Sequence, residues 1–155
     1  MKINILVVSA LLTSMILSAQ IPGQSTAGAA YYWKVLSKVT TKGQFNAETG
    51  EMNYVPVFSK YVKDLKGKEV ILTGYILPVE AKIEGSLTIS AFPFSSCYFC
   101  GGAGPETVVI LMPKFPIIHR PNKPVVVKGR LKLNEPYDPQ HLYYTLLDAE
   151  PYIEE

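Results

Sequence analysis

The apolar positions of this chain recur mostly with period two. Val125, Val127, Gly129, Leu131 and Leu133 alternate with Val126, Lys128, Arg130 and Lys132, a strand with one face buried and one wet. Leu87, Ile89 and Ala91 alternate with Thr88, Ser90 and Phe92 in the same way. Residues 70–77 (Val-Ile-Leu-Thr-Gly-Tyr-Ile-Leu) and 107–112 (Thr-Val-Val-Ile-Leu-Met) are apolar or β-branched on both faces, as doubly buried strands are. Residues 142–149 read as a last strand with tyrosines on both faces. The pattern therefore predicts five core strands, over 68–79, 87–92, 107–112, 125–133 and 142–149. Gly74 and Gly129 fall in mid-strand. A bulge or sharp coil there lets a strand turn the corner of a small barrel.

Upstream, Phe58, Tyr61, Val62 and Leu65 fall at i, i+3, i+4 and i+7, one apolar stripe on a two-turn helix. Lys60, Lys63, Asp64 and Lys66 take the other face, and Gly67 stands where a C-terminal cap belongs. Residues 31–37 fit both periods: Trp33, Leu36 and Val39 suit a short helix, while Tyr31, Trp33, Val35 and Ser37 suit one face of a strand. We read a strand running on towards Phe45, a turn at 46–50 and a return strand over 51–58. Trp33 is read as a core anchor. Loops are expected over 80–85, over the proline-rich 113–124 and over 134–139.

Short strands joined by glycine- and proline-rich turns define a mainly β protein. The order of two strands, a loop and three more, with glycines bending two of them, predicts a five-stranded OB-type Greek-key barrel with one short helix. The alternative is a β-sandwich of immunoglobulin type, which asks for seven strands.

Composition adds a compartment. Met1-Lys2 followed by the apolar run 3–17 and Ser18-Ala19-Gln20 reads as a secretory signal peptide over 1–19. It is too short for a comfortable membrane span, and no cysteine follows it to take a lipid. Residues 20–30 are small and polar, a flexible lead-in to a single domain over 31–155. The positive mean hydropathy of +0.14 partly reflects the leader. Its removal takes away Lys2 and no acid, lowering the net charge from +2 to +1. So balanced a chain gives no reason to expect nucleic acid as a partner. A periplasmic or secreted location follows, with no transmembrane helix once the leader is gone. At 48% hydrophobic and 18% charged, the chain can build one core without a metal or a disulfide.

The chemistry concentrates in Ser95-Ser96-Cys97-Tyr98-Phe99-Cys100-Gly101-Gly102-Ala103-Gly104-Pro105-Glu106, which holds both cysteines of the chain. Two cysteines in an exported protein suggest a disulfide. Cys-x-x-Cys also sets two soft donors on one turn, each fit for one vertex of a zinc or copper site. Backbone N–H groups freed by the glycines can aim at the sulfurs. Structural zinc wants four donors. Glu106, close to the thiols, is the first candidate for a third. His119 in the proline-rich loop, His141 and Asp148 are the others, and a second copy of the loop across a homodimer is a further source. Catalytic thiol–disulfide exchange fits less well, because Gly101-Gly102-Ala103-Gly104-Pro105 cannot open the helix that usually follows such a motif. Covalent haem attachment would need histidine where Gly101 stands. Lys128, Arg130 and Lys132 share a strand face that OB-type barrels use for oligomers, though three alternating bases are an ordinary wet face.

Gly67-Lys68, Gly74-Tyr75, Leu77-Pro78-Val79-Glu80 and Phe92-Pro93-Phe94-Ser95-Ser96-Cys97 together resemble a family of small exported bacterial proteins of unknown function. The resemblance spans roughly residues 55–150, the later strands matching in kind. It implies a signal peptide and an OB-like domain, and no activity. Many relatives carry histidine two residues after the cysteine. Here Phe99 stands there and Cys100 supplies the second soft donor.

The expectation is an exported, non-catalytic OB-type domain holding zinc or copper through Cys97 and Cys100, with Glu106 and His119 as further ligands. It would act as a carrier or accessory at the cell envelope, beside an envelope protein partner. The alternative is a metal-free module for protein or glycan partners, stapled by a Cys97–Cys100 disulfide. Thiol–disulfide redox chemistry comes third.

Overall fold

The computed structural model describes residues 26–79, 83–135 and 141–153. The signal peptide expected over 1–19 lies outside them, as do the start of the lead-in and parts of the loops at 80–85 and 134–139. In chain order come helix α1 (Thr26–Leu36), strands β1 (Val39–Asn46) and β2 (Glu51–Phe58), helix α2 (Lys60–Lys63), and strands β3 (Glu69–Ile76), β4 (Leu87–Ser90), β5 (Val108–Pro113), β6 (Pro124–Leu133) and β7 (Tyr144–Pro151).

Strands β3 to β7 close a barrel in the order β3-β4-β5-β7-β6, with β6 pairing back onto β3. All neighbours run antiparallel except β5 and β7, which are parallel. This is the strand order of an OB-type barrel, built from the five expected strands. The sheet closes on itself, so the sandwich alternative falls away. Its interior holds Val70, Leu72, Ile89, Val109, Leu111, Val127, Leu131, Leu133, Tyr144 and Leu146.

Both mid-strand glycines allow close approach. A side chain at Gly74 would run into the Ser90 carbonyl oxygen of β4, yet its register with β6 is unbroken. The bulge expected at Gly74 is therefore a contact. Gly129 does sit at a register shift: β6 slips against β7 between Lys128 and Arg130, and a Cβ there would meet Leu146 Cγ and the Leu147 oxygen at 2.8 Å.

The strand expected from residue 31 is a helix, and the lead-in expected over 20–30 contributes its first turn. Ala29, Tyr32, Trp33 and Leu36 form an i, i+3, i+4, i+7 stripe that a boundary at 30/31 cuts in two. Ala29 and Leu36 are fully buried, and Tyr32 and Trp33 pack on the barrel core. A site for α1 exists because β3 pairs with β4 only at Tyr75 and Ile76. Earlier on the strand, the Thr73 carbonyl accepts the Trp33 indole N–H at 2.8 Å. Trp33 is thus the anchor expected, on a helix. Among the described residues there are two α-helices where one was expected. Helix α2 is a single turn, capped by Ser59 Oγ accepting from Val62 N–H at 3.4 Å. Its stripe buries Phe58 and Val62, but Tyr61 stays exposed under the Lys38 ammonium, 4.1 Å from the ring.

Strands β1 and β2 pair along their whole length as a separate two-stranded sheet. Their turn lies where the sequence placed it. Asn46 Oδ1 accepts from the Glu48 and Thr49 N–H groups, and Gly50 takes a φ of 72°. Among the described residues, no helix is long and apolar enough to cross a membrane.

Candidate functional site: the cysteine loop

The loop between β4 and β5 is closed at its base by Ala91 N–H donating to the Thr107 carbonyl at 3.0 Å. Between these residues the chain makes three single 3-10 turns, Phe94–Ser96, Tyr98–Cys100 and Pro105–Thr107. Cys97 is extended between the first two (φ −82°, ψ 176°). Its carbonyl accepts from both Cys100 N–H at 3.2 Å and Gly102 N–H at 3.1 Å. Gly101 turns into the left-handed region at φ 76°, and a Cβ at Gly102 would strike the Ser96 backbone. These glycines are required by a tight wrap around the Cys97 peptide. The N–H groups of Cys100, Gly101 and Gly102 all reach backbone carbonyls, so the expectation that they would stabilise sulfur is corrected.

The two thiols have unlike surroundings. Cys97 is fully buried in a small apolar cluster with Leu77 and Val108, packed by Val79 and Leu142, apart from the main core. Cys100 is exposed, and the two are not bonded to each other. They are nevertheless neighbours. Desolvation by the loop and the nearby Cys97 sulfur together push the Cys100 thiol pKa up. That disfavours the thiolate a redox enzyme would need.

The expected further ligands do not gather at the pair. The Glu106 carboxylate folds back over Gly104, where its oxygens fill the space a Cβ would take. Its charge acts on Tyr144, whose phenol pKa is raised first by burial, then by Glu106 and Tyr143. His119 is exposed in a shallow recess with Gly85, Leu87 and residues 113–117, its Nδ1 3.2 Å from the Ile117 carbonyl. Asp148 takes a φ of 54° and accepts from the Arg130 guanidinium at 2.7 Å. His141 stands half-buried just before β7. Among the described residues, no three of His, Cys, Asp and Glu are grouped to hold a metal ion. The thiols therefore stand without Glu106 or His119. The basic strand face is also answered by acids, Lys128 by Glu150 at 3.2 Å and Arg130 by Asp148.

A reading centred on the sulfurs passes over the rings around them. Phe92, Phe94, Tyr98 and Phe99 are 44%, 41%, 37% and 47% exposed on this one loop, and Tyr98 and Phe99 meet edge to face with centroids 5.3 Å apart. No charged residue occurs from Ser86 to Pro105. The signal was present: aromatics set among Ser, Pro and Gly with no period of two or 3.6 have no core face to join.

The chain is thus an OB-type barrel carrying a ring-rich cysteine loop, free of charge up to Glu106, before β5. No protein-family model matches it, and no curated protein or solved structure does.

Proposed function

We propose that this chain is an exported, non-catalytic interaction module that meets a protein or glycan partner through the cysteine loop, with Cys97 and Cys100 serving as a staple for that loop. One observation carries the reading: a single loop holds four rings part-exposed while its buried thiol plugs it into the barrel. Uncharged aromatic surface on a preorganised backbone suits sugar faces or apolar side chains, because rings give contact area at little entropic cost. In an oxidising compartment the pair closes by exchange with a disulfide donor. The two thiols lose two protons and two electrons to form one S–S bond, and the donor leaves as two thiols. So short a loop gains roughly 2 kcal/mol at most from closure.

A second reading keeps the same pair for copper(I), favoured by two unbonded thiols on one short turn. Copper(I) is soft and is satisfied by thiolates alone. Zinc asks for donors that the described residues do not bring to the site.

The test is thiol counting and native mass spectrometry on mature protein purified from the envelope without reductant, followed by binding to glycan and peptide panels. A disulfide-closed protein whose panel binding is lost in Phe94→Ala and Phe99→Ala supports the module. Two free thiols carrying one copper ion would replace it with the carrier.

A further inference from the structure

The cysteine loop shows its surroundings rings and little else. No charged residue occurs from Ser86 to Pro105, although the chain as a whole is 18% charged. From Ala91 to Pro105 the only side chains able to hydrogen-bond are Ser95, Ser96, Tyr98 and the two thiols. The Ser96, Cys97, Cys100, Gly101 and Gly102 N–H groups all donate to carbonyls of the loop itself. Phe92, Phe94, Tyr98 and Phe99 stand part-exposed all the same, beside exposed Gly101 and Gly102. Glu106, the acid that ends the stretch, is half-buried and folded back over Gly104. The ion pairs Lys128–Glu150 and Arg130–Asp148 lie across β6 and β7, and β6 pairs with neither strand that carries the loop.

We propose that the loop also binds the surface of a lipid bilayer, its rings entering the headgroup region without crossing the membrane. This rests on reading the loop as the interaction surface of the chain, and adds a bilayer to the protein or glycan partner. Charge selects lipid. A zwitterionic headgroup layer has no net charge to pair with, and carrying a charged side chain out of water into its apolar margin is costly. A loop without charge meets neither difficulty. Lipid also asks for fewer directional contacts. Interfaces between proteins carry about one hydrogen bond per 100–200 Å², and this loop has little to give towards that count. Aromatic rings suit the boundary, with the apolar body in lipid and, at Tyr98, a hydroxyl among the headgroups. Buried Cys97 and the tight turns on either side of it fix the backbone beforehand, so little order remains to be imposed on contact. The gain comes from apolar area and not from ion pairs, so binding is reversible and insensitive to salt.

Co-sedimentation of the mature protein with large vesicles tests it, using phosphatidylcholine alone and phosphatidylcholine mixed with phosphatidylglycerol. We expect binding to both, not weakened by about 1 M sodium chloride, which cuts the screening length to about 3 Å. Phe94→Ser and Phe99→Ser should each lower the partition coefficient about tenfold. Unchanged circular dichroism and Trp33 fluorescence establish that each variant is folded. Phe99→Trp keeps a ring at the site and keeps the test decisive should the serine variants misfold. The emission it adds to that of Trp33 should move to shorter wavelength on vesicles and be quenched by lipids brominated on their chains. No binding to phosphatidylcholine overturns the proposal. So does binding lost in salt, or binding indifferent to the ring substitutions. Glycan and peptide panels run beside the vesicles keep the two readings apart. Panel binding without vesicle binding removes the bilayer and leaves the module, whereas vesicle binding without panel binding upholds the bilayer and removes the protein or glycan partner.

Discussion

The Tyr144 hydroxyl donates a 2.7 Å hydrogen bond to the Leu36 carbonyl, tying the first residue of β7 to the last residue of α1 across 108 positions of sequence. A helix ends with carbonyls that have no partner in the helix. This one ends inside the protein, so a partner has to come from elsewhere in the chain. Tyr144 supplies it from a fully buried position, with its ring against Phe58 and Tyr143.

Tyr144→Phe keeps the ring and removes the donor. It should cost about 1–3 kcal/mol, the desolvation penalty of an orphaned carbonyl, read as a lower urea midpoint with unchanged slope. The same residue sets an alkaline limit. Its folded pKa is raised above the ordinary 10.0, chiefly by burial, and that of Tyr32 is raised too. Their contribution to stability is complete below pH 10 and is lost as pH climbs from there towards the folded values, because the unfolded chain ionises first. Stability measured between pH 9 and 11 should fall with a shallower slope in Tyr144→Phe than in the parent.

The glycines separate into two kinds. Gly74→Ala drives a methyl group into the Ser90 carbonyl oxygen of a paired strand, and should cost about 3 kcal/mol or more. Gly50→Ala has open space around it and only a φ of 72° to oppose it, so about 1–2 kcal/mol is expected. Thermal unfolding of the two variants side by side decides this. Equal losses would contradict the packing account of β3.

Cys97 and Cys100 should differ as substitution sites. In the reduced protein, Cys97→Ser sets a hydroxyl among Leu77, Val79, Val108 and Leu142 and should cost about 1–3 kcal/mol. Cys100→Ser, at an exposed position, should stay within about 0.5 kcal/mol. Alkylation of the reduced native protein should modify Cys100 and spare Cys97 until the chain unfolds. With the Cys100 pKa raised above 9.0, its labelling rate should keep climbing beyond the pH at which a free thiol levels off. Peptide mass mapping after a timed pulse measures both.

Docking of α1 has its own probe. Trp33 is the only tryptophan, half-buried, with its indole bonded to Thr73 O. Leu36→Ala empties a fully buried position and should cost about 2–5 kcal/mol. If the helix loosens before the barrel opens, Trp33 emission will move to longer wavelength at denaturant concentrations that leave the far-ultraviolet strand signal intact.

How much of this was legible in the residues depended on how local the deciding interaction was. Period-two patterns record which face of each barrel strand meets a core, and all five strands stand where those patterns put them. The turn at 46–50 was equally plain, because Asn46 and Gly50 satisfy it with neighbouring groups. The stripe through Ala29, Tyr32, Trp33 and Leu36 is helical too, but a small-residue stretch read as a lead-in hid its first member. Residues 31–37 taken alone fit either period, and only the uncovered stretch of β3 edge, with Thr73 O waiting for an indole, selects the helix. The thiol pair was visible as a motif. That one sulfur is sealed beside Leu77 and Leu142 while Glu106 and His119 face elsewhere was not, because those residues meet or part only through the closure of the barrel. Sequence by itself determined the strands, the barrel class and the position of the cysteine loop, since these follow from local periodicity and turn chemistry. Tertiary structure alone decided which donors share a site and which apolar faces remain bare, since both depend on the register and packing of segments far apart in the chain.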